Sequence, residues 1–239
     1  MKIIGLLGGT SWPSTPLYYT LLNRMVSEKA GGHHSARIML YSIDYHEIKS
    51  RYMQEGGWEE IPDLLEKELK ILDHSGPDCI LICNNTLHKA YDLLADRGIR
   101  LGGRVIHLVV ETAREALARD YKRVLLLGTQ FTMEDGFFTD RLRFFGLEAD
   151  VPGEEDRQDI QHMQTEISAG RMLPEFRSRF AEMLSRYKGY DCLILGCTEL
   201  PLAISAEETD IPILNPIEAQ CAEAIKHAFS SGPHRGEVD

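Results

Sequence analysis

The sequence predicts an α/β protein of two pseudo-symmetric halves, each a mainly parallel sheet flanked by helices, with a ligand site in the cleft between them. Three observations support this fold class. Short apolar runs of strand length alternate with longer segments whose apolar residues recur at helical spacing. Several of the runs end in glycine-rich or polar turns. Three segments from the N-terminal part recur in the same order further along the chain, which indicates a duplicated unit.

The strongest repeat pairs residues 77–86 with residues 190–199, and in that alignment Asn84 lies over Cys197. The other two repeats pair 3–9 with 123–129 and 104–111 with 211–218. From these repeats we predict a first half of residues 1–103 plus 213–239 and a second half of residues 104–212.

The first elements are predicted from a buried apolar run and its turn. Residues 2–7 form a strand that Gly8-Gly9-Thr10-Ser11 ends. Thr15 before Pro16 predicts the N-cap of a helix that reaches about Lys29. Further along, we predict strands at 37–44, 79–83 and 105–108, and helices at 58–75, 86–97 and 111–119.

The second set of elements begins with residues 123–127, which echo the opening strand and end in Gly128-Thr129. Predicted strands follow at 148–151 and 192–196, and helices at 134–145, 157–169 and 174–186. The segment 211–218 matches 104–111, and a last helix runs to about residue 228. Parallel sheets bind ligands at the carboxyl ends of their strands. We therefore expect four polar turns, two from each half, to face one cleft.

Composition narrows the class of protein. The chain has 239 residues, of which 43% are hydrophobic and 26% charged, as in globular proteins. Its 26 basic and 37 acidic residues give a net charge of −11, which disfavours a nucleic-acid or anionic-membrane partner. No apolar run approaches the roughly 20 residues of a membrane span. Five cysteines, with three in apolar runs, favour free thiols in a cytoplasmic protein over a disulfide framework.

The candidate reactive groups lie in the turns. Cys197 leaves its strand where a helix would begin, so backbone N–H groups are expected to depress the pKa of its thiol, although a cysteine there can also serve packing alone. Thr86 and Thr198 are plausible carboxylate binders. His88 is either an acid–base group or a histidine on the helix surface, and Glu199 either caps a helix or acts in the site.

Two other interpretations of the motifs are weak. Gly8-Gly9 fits neither common nucleotide-binding glycine motif. His33-His34 has no further ligand at metal-binding spacing, so no metal site is predicted.

Four motifs together resemble those of the aspartate/glutamate racemase superfamily, in order and over nearly the whole chain. They are residues 5–11, Asn84-Asn85-Thr86-Leu87-His88, Leu127-Gly128-Thr129 and Gly196-Cys197-Thr198-Glu199. The resemblance implies a cofactor-independent (PLP-independent) racemase, often a homodimer, with one catalytic cysteine in each half. One thiolate would take the α-proton of a small-molecule substrate and the other thiol would return a proton. The substrate-binding residues expected on this basis are Gly9, Thr10, Ser11, Asn85, Thr86, Thr129, Thr132, Thr198 and Glu199.

The chain departs from the family pattern at the first cysteine, which in the family directly precedes Asn-Thr. Asn84 occupies that position here, and Cys83 lies one residue too early, on the other face of the strand. An amide is not a general base. We therefore expect a racemase-like enzyme acting on aspartate or glutamate, with Cys197 as its principal thiol acid/base and water or a side chain such as His88 returning the proton. A distal carboxylate would be held by Lys49 or Arg51, or by the region of Ser168.

Two other classes stay open. On the same scaffold, one thiol could serve a decarboxylase or a cis–trans isomerase of small dicarboxylic acids. A non-catalytic amino-acid-binding protein could keep the cleft and lack half of the catalytic pair.

Overall fold

The computed structural model describes residues 1–52, 54 and 56–232, which form two compact units. Among these residues, one unit contains those of 1–108 and 220–232, and the other contains those of 109–219. Each unit has a four-stranded parallel sheet with flanking helices, so the predicted α/β class is confirmed. None of the helices in the described ranges is long and apolar enough to cross a membrane.

The elements follow one another as expected for a duplicated α/β chain. The strands are β1 (Ile4–Gly8), β2 (Ile38–Ser42), β3 (Cys79–Ile82), β4 (Arg104–Val105), β5 (Arg123–Leu127), β6 (Glu148–Asp150), β7 (Cys192–Leu195) and β8 (Ile213–Leu214). The helices are α1 (Thr15–Ala30), α2 (His46–Tyr52), α3 (Ile61–His74), α4 (Leu87–Asp96), α5 (Leu108–Ala118), α6 (Gln130–Glu134), α7 (Phe137–Phe144), α8 (Glu154–Ser168), α9 (Glu175–Leu184) and α10 (Pro216–Ala228). Short 3₁₀ helices span Gly57–Glu59 and Leu200–Leu202.

The two sheets have the same topology. Their strand orders are β2-β1-β3-β4 and β6-β5-β7-β8, and every pairing is parallel. The central strands are buried on both faces, which explains why they read as unbroken apolar runs in the sequence. In each sheet the order reverses between the first and third strands of the unit, so the turns after β1 and β3, and after β5 and β7, flank a topological switch point.

Equivalent carboxylates form hydrogen bonds with backbone amides at the amino-terminal edges of the two sheets. Asp78, just before β3, accepts a hydrogen bond from the Ile3 amide at 2.6 Å. Asp191, just before β7, accepts bonds from the amides of Lys122 and Arg123 at 2.9 and 2.8 Å. These amide bonds lower the pKa of Asp191. In both units a carboxylate therefore ties the N-terminal end of one central strand (β1 or β5) to the N-terminal end of the strand beside it (β3 or β7).

The structure differs from the predicted boundaries at the last strand of each sheet. Hydrogen bonds pair β4 with β3 and β8 with β7, whereas boundaries at 103/104 and 212/213 would separate each of these strands from its sheet. The compact units instead divide within α5 and α10. Two-residue strands carry too little sequence pattern to reveal which sheet they join.

Two local predictions are also corrected, and one helix has no counterpart among the predicted elements. The N-cap of α1 is Ser14, because the Thr15 hydroxyl instead accepts a hydrogen bond from the Gly9 amide. Residues 134–145 do not form one helix, since Gly136 adopts a left-handed backbone (φ 94°) between α6 and α7. Helix α2 was not predicted, because its seven residues bury only Ile48 and show no clear apolar period.

Candidate active site

The turn after β1 is held in a shape that requires glycine. Gly9 has a φ of 82°, and a Cβ there would lie 2.2 Å from the carbonyl oxygen of Ile43. The next residue, Thr10, is buried and donates its hydroxyl hydrogen to the Cys83 carbonyl at 2.9 Å. The side chain of Thr10 therefore joins two turns at the carboxyl edge of the first sheet, while Gly9 and Ser11 stay half-buried.

Asn84 directs its side chain into the same edge. Its Oδ1 accepts a hydrogen bond from the Leu87 amide at 2.9 Å and so satisfies the first turn of α4. The side chain also hydrogen-bonds to the Tyr45 hydroxyl. Asn84, Asn85 and Thr86 are all half-buried, so part of each remains accessible. Asn84 therefore combines a capping role with a position beside a phenol.

Cys83 lies on the interior side of this turn. Its side chain is 1% exposed, beside the buried residues Tyr18 and Cys221. Burial raises the pKa of the Cys83 thiol well above its ordinary value, and the nearby Cys221 raises it further. This placement agrees with the sequence prediction that Cys83, one residue before the family's cysteine position, lies on the other face of the strand. Asn84 is therefore the residue at the sheet edge.

His88 is fixed by the backbone on both sides of its ring. It is fully buried, with Nδ1 2.8 Å from the Asn84 carbonyl oxygen and Nε2 accepting from the Leu108 amide at 3.1 Å. Burial lowers the pKa of His88 to about 3, with a further contribution from His107. The imidazole is therefore neutral and bonded to backbone through both nitrogens. These contacts argue against the predicted acid–base role and favour a structural one.

In the second unit, Thr129 and Thr132 have different surroundings. Thr129 is half-buried and caps α6, accepting from the Thr132 amide at 3.2 Å. Thr132 is 1% exposed, with its hydroxyl oxygen 2.9 Å from that of Thr129. Its methyl group would also lie 2.9 Å from a Cβ at Gly128. Thr129 is accessible to a ligand, whereas Thr132, also predicted to bind substrate, is buried and supports the turn from inside.

Cys197 lies in a short hydrogen-bonded chain. Its thiol donates to Oε2 of Glu199 at 2.9 Å, and the Thr198 hydroxyl donates to the same oxygen at 2.8 Å. Burial raises the pKa of the Cys197 thiol well above its ordinary value, and the Glu199 carboxylate raises it further. The expectation of a depressed pKa is therefore wrong. Only the three-residue 3₁₀ helix Leu200–Leu202 follows this turn, so no long helix directs its dipole at the sulfur.

Sequence reasoning missed a glutamine that contacts the same sulfur. Gln164 of α8 is largely buried, and its side chain hydrogen-bonds to Cys197, which lowers the pKa of the thiol against the larger opposing effects. Its Oε1 accepts from Gln161 at 3.4 Å, which leaves its N–H groups for the sulfur. The apolar face of α8 predicts burial, but no sequence signal distinguishes a buried glutamine that binds sulfur from one that binds backbone.

The predicted carboxylate clamps differ in their surroundings. Arg51 of α2 forms an ion pair with Glu60 at 2.8 Å, so its charge is already matched within the first unit. Lys49 is exposed on the same helix. Ser168 is exposed at the end of α8 and donates to the Thr165 carbonyl.

No group of three or more histidine, cysteine or acidic side chains within the described ranges is arranged to hold a metal ion. His33 and His34 are exposed in the loop after α1.

Proteins of known family and structure are similar to this chain. The sequence model of the Asp/Glu/hydantoin racemase family matches residues 7–224. A candidate Asp/Glu racemase from Yersinia pestis is similar in structure, with 32% identity, a TM-score of 0.87, and coverage of 96% of this chain and 100% of that one. An aspartate racemase homologue from Pyrococcus horikoshii OT3 has 29% identity, a TM-score of 0.81, and coverage of 96% and 100%. Picrophilus torridus aspartate racemase, 24% identical, shares the fold with a TM-score of 0.75 and coverage of 95% and 94%. The chain belongs to the Asp/Glu/hydantoin racemase family.

Proposed function

We propose that the protein is a cofactor-independent racemase-like enzyme that acts on the α-carbon of aspartate or glutamate, with Cys197 as its principal acid/base. The observation that carries the proposal is the 2.9 Å hydrogen bond from the Cys197 thiol to Glu199. A thiol is a weak base until it loses its proton, and a carboxylate at this distance can accept that proton. Family membership supports the reaction class.

The second unit supplies three contacts for this chemistry. Glu199 receives the thiol proton, Thr198 holds the carboxylate through its hydroxyl, and Gln164 donates a hydrogen bond to the sulfur. The resting thiol is neutral because burial and the Glu199 charge both disfavour the thiolate. Transfer of the thiol proton to Glu199 generates the thiolate, which then takes the α-proton of the substrate. The proton carried by Glu199 returns when the cycle is reversed or exchanges with water.

The first unit supplies an amide where the second supplies a thiol. Asn84 can donate hydrogen bonds to a substrate carboxylate, together with Asn85, Thr86 and the turn at Gly9–Ser11, but it cannot carry the α-proton. The enzyme would therefore treat L and D substrates unequally. From the family resemblance we also expect a homodimer, which gel filtration with light scattering tests. From the cysteine usage of the chain we expect a cytoplasmic location.

The test follows the α-proton and the enantiomer ratio separately. The protein is incubated in D2O with L- and D-aspartate and L- and D-glutamate, with proton NMR reporting exchange and chiral chromatography reporting inversion. We expect exchange in at least one enantiomer, with loss of exchange in Cys197→Ala and little change in Cys83→Ala, the matched buried thiol. Undiminished exchange in Cys197→Ala would overturn the proposal.

A further inference from the structure

We propose that the phenol of Tyr45 is the proton-transfer group of the first unit, in place of the thiol that position 84 lacks. This inference rests on the proposed function. It identifies a group that can return a proton to the α-carbon, which the amide of Asn84 cannot do. Sequence reasoning did not identify Tyr45, because a single tyrosine after a strand has no motif.

The position of Tyr45 is set by β2. Tyr45 follows that strand, which pairs with β1, and the Ile43 amide donates to the Gly8 carbonyl at 3.1 Å. Tyr45 is therefore at the same carboxyl edge as the Gly9 turn and Asn84. It is half-buried, so the residue is not sealed inside the apolar interior.

Two groups hydrogen-bond to the Tyr45 oxygen. The Tyr45 hydroxyl donates to the Tyr52 hydroxyl oxygen at 2.7 Å, and the Asn84 side chain forms the second bond. Because Asn84 Oδ1 accepts from the Leu87 amide, the group that faces Tyr45 is its NH2, a donor. When Tyr45 gives up its proton, its phenolate can thus receive one hydrogen bond from Asn84 and another from Tyr52.

These bonds make Tyr45 the more acidic of the two phenols. Burial raises the pKa of Tyr45 to about 12, against the lowering effect of its hydrogen bonds with Tyr52 and Asn84. The pKa of Tyr52 is raised more strongly, by its burial and by Tyr45. At neutral pH Tyr45 is protonated, as a proton donor must be.

Tyr52 is held in place by an aromatic contact. Its ring stacks on that of Trp58, with centroids 5.1 Å apart and planes inclined by 21°. The Lys89 ammonium lies 4.3 Å from the Trp58 ring centroid. This stack fixes the Tyr52 hydroxyl as a support for Tyr45, so the phenol is already positioned when a substrate binds.

The proposed step conserves atoms and charge. Cys197 removes the α-proton and leaves the bonding pair on the α-carbon. The O–H bond of Tyr45 breaks and a new Cα–H bond forms from that pair, which leaves a phenolate bonded to Tyr52 and Asn84. A proton from water restores the phenol, and the proton taken by Cys197 leaves to water. In the reverse direction the phenolate takes the α-proton and Cys197 returns one.

The experiment compares Tyr45→Phe with Tyr41→Phe in the D2O assay with aspartate and glutamate. Tyr41 is a matched control on β2, because its hydroxyl donates to Glu68 at 2.6 Å and not to Asn84. For Tyr45→Phe we expect the Cys197-dependent exchange to persist while inversion falls by about 100-fold, the usual contribution of a general acid. Tyr52→Phe should lower inversion by about tenfold, the worth of one hydrogen bond to an ion. Tyr41→Phe should change neither.

Each other outcome has a distinct meaning. Unchanged inversion in Tyr45→Phe, with exchange intact, would overturn the role of Tyr45 and leave the proposed function standing. Loss of exchange and inversion together would assign Tyr45 to binding or folding and also overturn it. Absence of exchange in the unmodified protein, for all four substrates, would overturn the proposed function and this inference with it.

Discussion

Replacing Glu199 with glutamine tests how the Cys197 thiol is controlled. The substitution keeps the shape of the side chain and removes the negative charge that lies 2.9 Å from the sulfur. A carboxylate beside a thiolate disfavours the thiolate form, so its removal should increase the thiolate fraction at a given pH. Burial, the larger cause of the raised pKa, is unchanged, so the thiol should still ionise above its ordinary range.

The size of the effect follows from Coulomb's law. Two charges about 4 Å apart interact by about 1 kcal/mol in water and about 4 kcal/mol at the effective dielectric constant of a protein surface. Because about 1.4 kcal/mol corresponds to a factor of ten, the thiolate fraction should rise by about 5-fold to about 1,000-fold. Cys197 lies near the upper limit, since it is only 7% exposed.

The assay is alkylation by iodoacetamide as a function of pH, followed by mass spectrometry of the modified peptide. Cys197 is the most exposed of the five cysteines, the others being at most 1% exposed, so it should react first. We expect faster alkylation in Glu199→Gln together with slower α-proton exchange, because the variant lacks the group that accepts the thiol proton. Equal alkylation rates in the two proteins would refute the argument that the Glu199 charge holds the thiol neutral. Cys197→Ser provides the background rate.

Three further predictions concern the first unit. Asn84→Cys should raise the ratio of inversion to exchange in D2O, because it adds a thiol where the repeat has one; an unchanged ratio would contradict this. His88 should lower the free energy of unfolding by about 2–3 kcal/mol at pH 4.5 relative to pH 7. In the unfolded chain His88 binds a proton below about pH 6.5, whereas in the folded protein it stays neutral down to about pH 3. Urea unfolding of His88→Gln should show a shallower loss between these pH values, and an equal loss would exclude His88 as its source. Gly9→Ala should lower the free energy of unfolding by more than Gly31→Ala, since both have a positive φ but only a Cβ at Gly9 meets an atom, the Ile43 oxygen. Equal losses in urea would show that this contact costs nothing.

The fold was predictable because buried parallel strands leave an unmistakable sequence pattern. The runs that form β1, β3, β5 and β7 are apolar on both faces, and the internal repeat aligns the polar turns that follow them. The elements that sequence reasoning omitted or assigned to the wrong half are short or polar. Helix α2 buries only Ile48, and β8 has two residues, so neither carries a period that sequence can show.

The site was predictable in its positions but not in its electrostatics. Repeat alignment distinguished Cys83 from Asn84, a distinction that depends only on the alternation of side chains along a strand. The pKa of Cys197 depends instead on burial and on a carboxylate two residues along the chain that bends back to the sulfur. The neutrality of His88 likewise depends on burial and on the neighbouring His107. Its hydrogen bond from the Leu108 amide, twenty residues away, is one that no spacing rule identifies.

The carboxylates of Asp78 and Asp191 have a consequence for protein engineering. They fasten each sheet at its amino-terminal edge, whereas Asn84 and Cys197 stand at the carboxyl-terminal edge, the full length of a strand away. A library that randomises the residues after β3 or β7 leaves Asp78 and Asp191 unchanged. The residue at position 84 or 197 can then be replaced in one unit while the equivalent residue of the other unit is kept for comparison. The duplicated chain is thus a scaffold in which new chemistry can be selected one half at a time.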